Sequence, residues 1–336
     1  MKILITGASG FIGSFLVEHA LEEGMETWAA VRKTSGKQYL QDERIRFIEV
    51  DLSHDERLRT QLESHMQAHG PFDYVIHAAG ATKCKKVEDF YRINTEGTAR
   101  LALLMLETGA LKQGGRFVFI SSLSAYGAIH EIDRAPITES NMPLPNTAYG
   151  LSKLRAEAFL QDIPGLNFVV LRPTGVYGPR EKDYFLLIRS INRHVDFAVG
   201  FRPQILTFIY VADLVQAAFL ALTHGKGGQV FNLSDGKTYT SRAFSDLVQM
   251  ELGIKRVLHI TAPLWLLRLI CTIGDGIGKL TGKLSLFNSD KYRILKQRNW
   301  QCSIRSAREE LSFTPKWPLV RGVKASIDWY KNNHWL

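Results

Sequence analysis

The sequence predicts an α/β fold, a doubly wound parallel sheet with helices on both faces and a smaller C-terminal α+β lobe. Three observations lead there. Apolar strand-like runs alternate with helical periodicities through the first half of the chain, as successive β-α-β units require. The first unit turns through the glycine pattern Gly7-x-x-Gly10-x-x-Gly13. The alternation becomes irregular after residue 175, which assigns residues 1–175 to the sheet domain and 176–336 mainly to a second lobe, with some later segments returning to the first.

Lys2-Ile3-Leu4-Ile5-Thr6 reads as a buried strand, because an unbroken apolar run suits a strand covered on both faces. Phe11, Ile12, Phe15, Leu16 and Leu21 follow at helical spacing, and Gly24 ends that helix. Further strands are expected over 27–31, 45–50, 73–77, 116–121 and 168–172, with helices over 94–106 and 149–160. In the second lobe, 230–233 reads as a strand and 241–252 as a helix. The segment from Pro263 to Leu280 is strongly apolar, with Leu264, Trp265, Leu266, Leu267, Leu269 and Ile270 grouped around Arg268. It is too short, and too interrupted by Arg268, Asp275 and glycines, to span a bilayer.

A chain of 336 residues, 45% of them hydrophobic, can bury the large core such a fold needs. Cys84, Cys271 and Cys302 are odd in number, far apart and without metal-ligand spacing, so no metal site is expected and a reducing cytoplasm fits. The first strand begins at Lys2, leaving no room for a signal peptide. The net charge of +9 is concentrated late: from Lys255 onward there are 15 Lys and Arg against 5 Asp and Glu. That quarter suits an anionic substrate, a solvated basic face or, less favoured, a membrane surface. No motif supports a nucleic-acid partner.

The glycine turn lies between strand and helix, where Gly7, Ser9, Gly10, Phe11, Ile12 and Gly13 can bring backbone against a pyrophosphate at a helix N-terminus. The second strand ends in Val31-Arg32-Lys33 rather than an acid. Arg32 and Lys33 therefore point to the 2′-phosphate of NADP(H), with NAD(H) as the alternative. Asp51 and Leu52 are placed to meet an adenine edge, and Ala78, Ala79 and Gly80 to line the dinucleotide crevice. His77 reads as a structural hydrogen-bonding residue, and Asn94 as a helix cap or a support near the lysine.

Tyr149-x-x-x-Lys153 puts a phenol and an ammonium on one helix face. A nearby cation lowers the pKa of a phenol, which can then exchange a proton with an alcohol or carbonyl oxygen. The serine pair Ser121-Ser122 closes the fifth strand, and no Gly-x-Ser-x-Gly elbow supports hydrolysis.

Six ordered motifs together carry a resemblance: the glycine turn, His77-Ala-Ala-Gly80, Ser121-Ser-x-x-x-Tyr126-Gly, Tyr149-x-x-x-Lys153, Arg172-Pro-x-x-Val-Tyr-Gly-Pro179 and the segment Phe208 to Leu214. The chain resembles the extended short-chain dehydrogenase/reductases over nearly its whole length. The resemblance implies a Rossmann-like fold with Ser122 holding the substrate oxygen, Tyr149 as acid/base, and Lys153 binding the nicotinamide ribose while depressing the tyrosine. It further implies that Pro173, Thr174 and Val176 contact the nicotinamide carboxamide, that Asp213 is structural, and that a homodimer through a helix pair can form.

Substrate is less legible. The resemblance places the acidic pair of nucleotide-sugar dehydratases at Leu123 and Ser124, and the diphosphate-binding arginine of sugar epimerases near Leu206-Thr207, so both signatures are missing, although Arg180 or Arg202 could substitute for the latter. Ala30-Val31-Arg32 and the apolar lobe look more like the dihydroflavonol reductase and 3β-hydroxysteroid dehydrogenase branch. The expected activity is alcohol–ketone interconversion on a hydrophobic or ring-shaped small molecule. A nucleotide-sugar epimerase and a non-catalytic NADP-binding regulator are the alternatives.

Overall fold

A computed structural model describes residues 1–281 and 288–336; side chains from 277 to 281 are also outside the description, so Leu280 of the apolar segment and Lys279 and Lys283 of the basic quarter are not discussed further.

Six of the seven main strands follow in order: β1 (Lys2–Thr6), β2 (Glu26–Val31), β3 (Arg46–Glu49), β4 (Phe72–His77), β5 (Leu111–Ile120) and β6 (Phe168–Pro173). The smaller strands β7 (Gly175–Tyr177), β8 (Val195–Val199), β9 (Ile205–Leu206) and β10 (Phe208–Tyr210) intervene before β11 (Gln229–Leu233) rejoins the sheet; β12 (Tyr239–Thr240) and β13 (Leu258–Ala262) complete the set. The sheet runs β3-β2-β1-β4-β5-β6-β11, and every registered pair in it is parallel. The order reverses between β1 and β4, so a crevice opens beyond their carboxyl ends, where doubly wound sheets bind ligands.

Helices cover both faces: α1 (Phe11–Glu22), α2 (Asp55–His69), α3 (Val87–Phe90), α4 (Gly97–Glu107), α5 (Ala148–Gln161), α6 (Asp183–Asn192), α7 (Val211–Thr223), α8 (Ala243–Glu251), α9 (Leu264–Thr281), α10 (Ser289–Lys296), α11 (Arg305–Leu311) and α12 (Leu319–Asn332). Strand alternation divides the core. Ile3 and Ile5 of β1 join the cluster containing Leu16 and Val17 of α1, whereas Leu4 joins the one containing Leu58, Leu101 and Leu160 of α2, α4 and α5. The first cluster continues without a break into Phe208, Phe244, Phe313 and Tyr330 of the later chain. Leu101 and Leu104, expected either in a dimer bundle or in the core, are buried in the second.

The expected helix over 94–106 forms with one difference. Tyr91–Glu96 is a π-helical stretch inside a continuous run, so Asn94 caps nothing. The wider turn places Asn94 and Thr95 against α5, a use of π-turns common at functional sites. Among the described residues no helix is long and apolar enough to cross a membrane.

Candidate active site

A test of space shows why the turn needs glycines. Gly7 has φ +68, and a Cβ there would lie 2.7 Å from the Ala79 nitrogen; a Cβ on Gly13 would lie 2.0 Å from the Gly7 carbonyl oxygen. Turn, helix and the Ala78-Ala79-Gly80 loop thus close together only without side chains. Gly10 caps α1 with no side-chain hydrogen bond, and no acid occupies its first turn, so free N–H groups and the dipole end face the crevice. Thr6 ties the two loops by accepting from the Ala79 nitrogen at 3.2 Å.

His77 lies beneath them as expected of a structural residue, bonded to Thr6 at 2.7 Å and Thr98 at 2.8 Å. Burial, with the Lys153 charge adding to it, pushes its imidazole down to about 3. An unfolded histidine titrates near 6.5. Stability contributed by neutral His77 is therefore complete above pH 6.5 and lost progressively as pH falls toward 3. His77→Asn is expected to reduce the stability difference between pH 7 and pH 5 by about 2 kcal/mol, read by urea denaturation at each pH. An unchanged difference would show that the imidazole is not held neutral.

At the end of β5, Ser122 starts the 3-10 turn Leu123–Ala125, its Oγ accepting from the Ser124 nitrogen at 3.2 Å. It also neighbours the Tyr149 hydroxyl and acts to lower that phenol. α5 begins at the Thr147 cap, whose Oγ1 accepts from the Gly150 nitrogen at 3.0 Å. Gly150 matters more than its helical position suggests: a Cβ there would sit 2.2 Å from the Ser124 carbonyl oxygen. A glycine inside a helix costs stability against alanine, and that cost was the available signal of close packing. Gly150 is what lets the serine turn rest on the tyrosine helix, and sequence reasoning passed over it.

One helical turn on, Lys153 is buried, donates to the Ile120 carbonyl at 2.9 Å and lies 4.7 Å from the centre of the Phe119 ring. Burial lowers its ammonium to about 8, opposed by Glu157. Tyr149 is raised, not depressed: burial outweighs the Ser122 hydrogen bond. The expected lowering of the phenol by Lys153 is corrected, because the ammonium is committed to Ile120 and Phe119.

Asn94 supports the same corner, accepting from the Ala81 nitrogen at 2.7 Å and donating to Ser152 at 2.9 Å. Behind it Glu157 takes Ser121 and Arg172, whose Nε lies 3.1 and 3.2 Å from the two carboxylate oxygens. Ser121 is thereby occupied. Arg172 forms the structural ion pair its position allowed, and lies 4.4 Å from the centre of the Tyr126 ring.

The remaining expected residues are more scattered. The Asp51 carboxylate is held by Ser53, His54 and Arg57 and lowered to about 2, chiefly by the Ser53 hydrogen bonds, while Leu52 packs against the core. Thr174, after Pro173, is buried and donates to the Thr207 carbonyl at 2.8 Å; Val176 lies in β7 beside β10. Asp213 accepts from the Lys316 and Trp317 nitrogens at 2.9 and 3.0 Å, a structural role. Arg180 is not free for a diphosphate: it pairs with Glu18 at 2.7 Å and bonds Ser14 at 2.9 Å.

The sequence profile of the NAD dependent epimerase/dehydratase family matches residues 3–234. The chain is similar to a UDP-glucose 4-epimerase of Vibrio cholerae, 28% identical over 339 residues, covering 96% of this chain and 93% of that protein. It is also similar to a ceramide reductase of Caulobacter vibrioides, 26% identical over 340 residues and covering 99% and 96%. In fold it is similar to the UDP-glucose 4-epimerase of Thermotoga maritima with UDP-glucose, at TM-score 0.79, 24% identity and coverage of 99% and 100%. The UDP-glucuronic acid 4-epimerase of Bacillus cereus in complex with NAD gives TM-score 0.76, 22% identity and coverage of 99% and 100%.

Two expectations are corrected. The preference for NADP(H) is overturned: the family is named for NAD, and several of the similar structures are complexes with NAD. Arg32 and Lys33 are exposed, and neither forms an ion pair among the described residues. A guanidinium also donates to a ribose hydroxyl, though less strongly than to a phosphate, so Arg32 does not exclude NAD. The dihydroflavonol reductase and 3β-hydroxysteroid dehydrogenase branch is likewise not supported, since nucleotide-sugar enzymes dominate the relatives. The apolar segment that suggested it exposes Trp265, Leu269, Ile270 and Ile273. With the profile matching well over half its length, the chain belongs to the NAD dependent epimerase/dehydratase family.

Proposed function

We propose that this chain is an NAD-dependent epimerase of a nucleotide sugar, oxidising a secondary carbinol and returning the hydride to the opposite face. The observation that carries the reading is the neighbouring Ser122 and Tyr149 hydroxyls, one helical turn from the buried Lys153, beside loops that Gly7, Gly13 and Gly80 allow to pack closely. NAD, when bound, supplies a reversible hydride acceptor. Gly7, Ser9, Gly10, Phe11, Ile12 and Gly13 would hold its diphosphate through backbone N–H groups, with Ala78, Ala79 and Gly80 as the other wall. Asp51 and Leu52 would meet its adenine end, and Pro173, Thr174 and Val176 its nicotinamide. Ser122 orients the carbinol oxygen and Tyr149 takes up or returns its proton. Because burial raises the phenol, the protonated form is the resting one, ready to donate to a carbonyl oxygen. Lys153 is held one turn along the same helix, where its ammonium would meet the nicotinamide ribose. Elimination of water is not part of the proposal, because Leu123 and Ser124 offer no carboxylate.

The test is incubation of the protein with NAD and UDP-, dTDP- and GDP-hexoses, with products resolved by NMR. Interconversion of epimers without net nicotinamide absorbance change is expected. No conversion of any sugar would reject the assignment.

A second reading has its own observation. Thr207, where an arginine would meet a diphosphate, is buried in hydrogen bonds to Thr174 at 3.0 Å and the Trp300 carbonyl at 2.6 Å. An apolar alcohol or ketone would not need that arginine, and the ceramide reductase is a relative of matching length. In that reading long-chain hydroxy or keto amides change nicotinamide absorbance stoichiometrically, and sugars do not react.

A further inference from the structure

The two-stranded sheet of β8 and β13 has its polarity reversed. The registered pairs Val195–Leu258, Phe197–Ile260 and Val199–Ala262 put six apolar side chains on one face. The other face carries Asp196 and His259, 3.1 Å apart, with Asp196 buried and accepting from Ser245 of α8 at 3.0 Å. On that face Asp196 is buried against α8 while His259 stays at the rim; on the apolar face Phe197 is 60% exposed and Leu258 63%.

The apolar surface continues from both strands. β8 leads to Phe201, which is 76% exposed, and β13 leads through Pro263 into α9. That helix turns Leu267, Cys271 and Gly274 inward and Leu269, Ile270, Ile273 and Trp265 outward, the last 69% exposed. A Cβ on Gly200 would lie 3.5 Å from Leu264, so sheet end and helix start are in contact and the patch is continuous. A surface of this kind marks an interaction site rather than scattered exposure. Arg193, Arg202, Lys255, Arg256 and Arg268 are exposed on the elements that carry it or immediately beside them, and none forms an ion pair among the described residues.

We propose that this face docks on an anionic lipid surface, with Trp265, Leu269, Phe197 and Leu258 entering the headgroup region and the five cations meeting lipid phosphates. Charge selects this occupant. A second copy on the same face would bring like-charged rims together, whereas anionic headgroups neutralise them. The docked helix is linked to the candidate site: α9 bonds α10 through Asp275 and Ser289, and Asp290 of α10 accepts from the Ala148 nitrogen at 2.9 Å, at the start of the helix that carries Tyr149 and Lys153. The docking holds for either substrate class.

The experiment is flotation of the full chain with phosphatidylcholine vesicles, with and without phosphatidylglycerol, at low and high salt. Binding to the anionic vesicles alone, weakened by salt, is expected. Trp265→Glu with Leu269→Glu, and separately Arg256→Glu with Arg268→Glu, are expected to lower partitioning by about tenfold or more, with far-UV circular dichroism and NAD affinity unchanged. Absence of flotation with wild-type protein overturns the proposal. So does equal binding to neutral vesicles, or flotation indifferent to both variants. A wild-type dimer that Trp265→Glu converts to monomer, with no flotation, assigns the face to a second copy and also overturns it.

Discussion

Replacing Tyr149 by phenylalanine is expected to lower turnover by roughly 10²–10⁴-fold, the usual worth of a positioned acid/base, while NAD affinity stays within about twofold. The split follows from geometry. The substitution removes only the hydroxyl beside Ser122, and leaves the glycine turn and the Lys153 anchorage on Ile120 untouched. A variant that loses NAD binding as well would mean that the phenol holds the fold of the crevice rather than the proton. Absorbance at 295 nm gives a second readout. With burial raising the phenol, the wild-type minus Tyr149→Phe difference should show no phenolate below pH 10 in protein without NAD. A phenolate appearing near neutrality would restore the lysine-depressed tyrosine that the sequence suggested.

The largest effect on stability is expected at Arg172. Arg172→Met leaves the Glu157 carboxylate in the core with Ser121 as its remaining side-chain donor, and breaking a buried pair from one side costs about 3–5 kcal/mol. The double variant Arg172→Met, Glu157→Leu removes both charges and should recover most of that loss, since a buried pair replaced by apolar groups is often neutral. Urea denaturation of wild type, the single variant and the double variant measures it. A double variant no more stable than Arg172→Met would show that the network acts through Ser121 and Tyr126 rather than through charge compensation. Glu157 lies one turn beyond Lys153, so the single variant should also move the titration of that ammonium from about 8.

Much of this site was readable in order along the chain. Glycines at 7, 10 and 13 between a strand and a helix admit few backbone paths, and Tyr149 and Lys153 share a helix face by spacing alone. Asp213 and His77 are structural as read: Asp213 accepts from two backbone nitrogens, and His77 bonds the Thr6 and Thr98 hydroxyls. Ionisation was different. A cation four residues from a phenol depresses it only if the cation faces it, and Lys153 faces the Ile120 carbonyl and the Phe119 ring.

Local pattern therefore carries the layer architecture, the first strand–turn–helix and the spacing of the candidate serine, tyrosine and lysine, because periodicity and glycine spacing act over a few residues. Tertiary contacts settled the rest. Gly150 against Ser124, Arg172 against Glu157 and Asn94 against Ala81 join residues 26, 15 and 13 positions apart. The apolar segment after Pro263 could have lined a pocket or faced outward on its composition alone. Its direction depends on which side of α9 finds partners, and those partners, Ser289 to Lys296 of α10 among them, lie elsewhere in the chain.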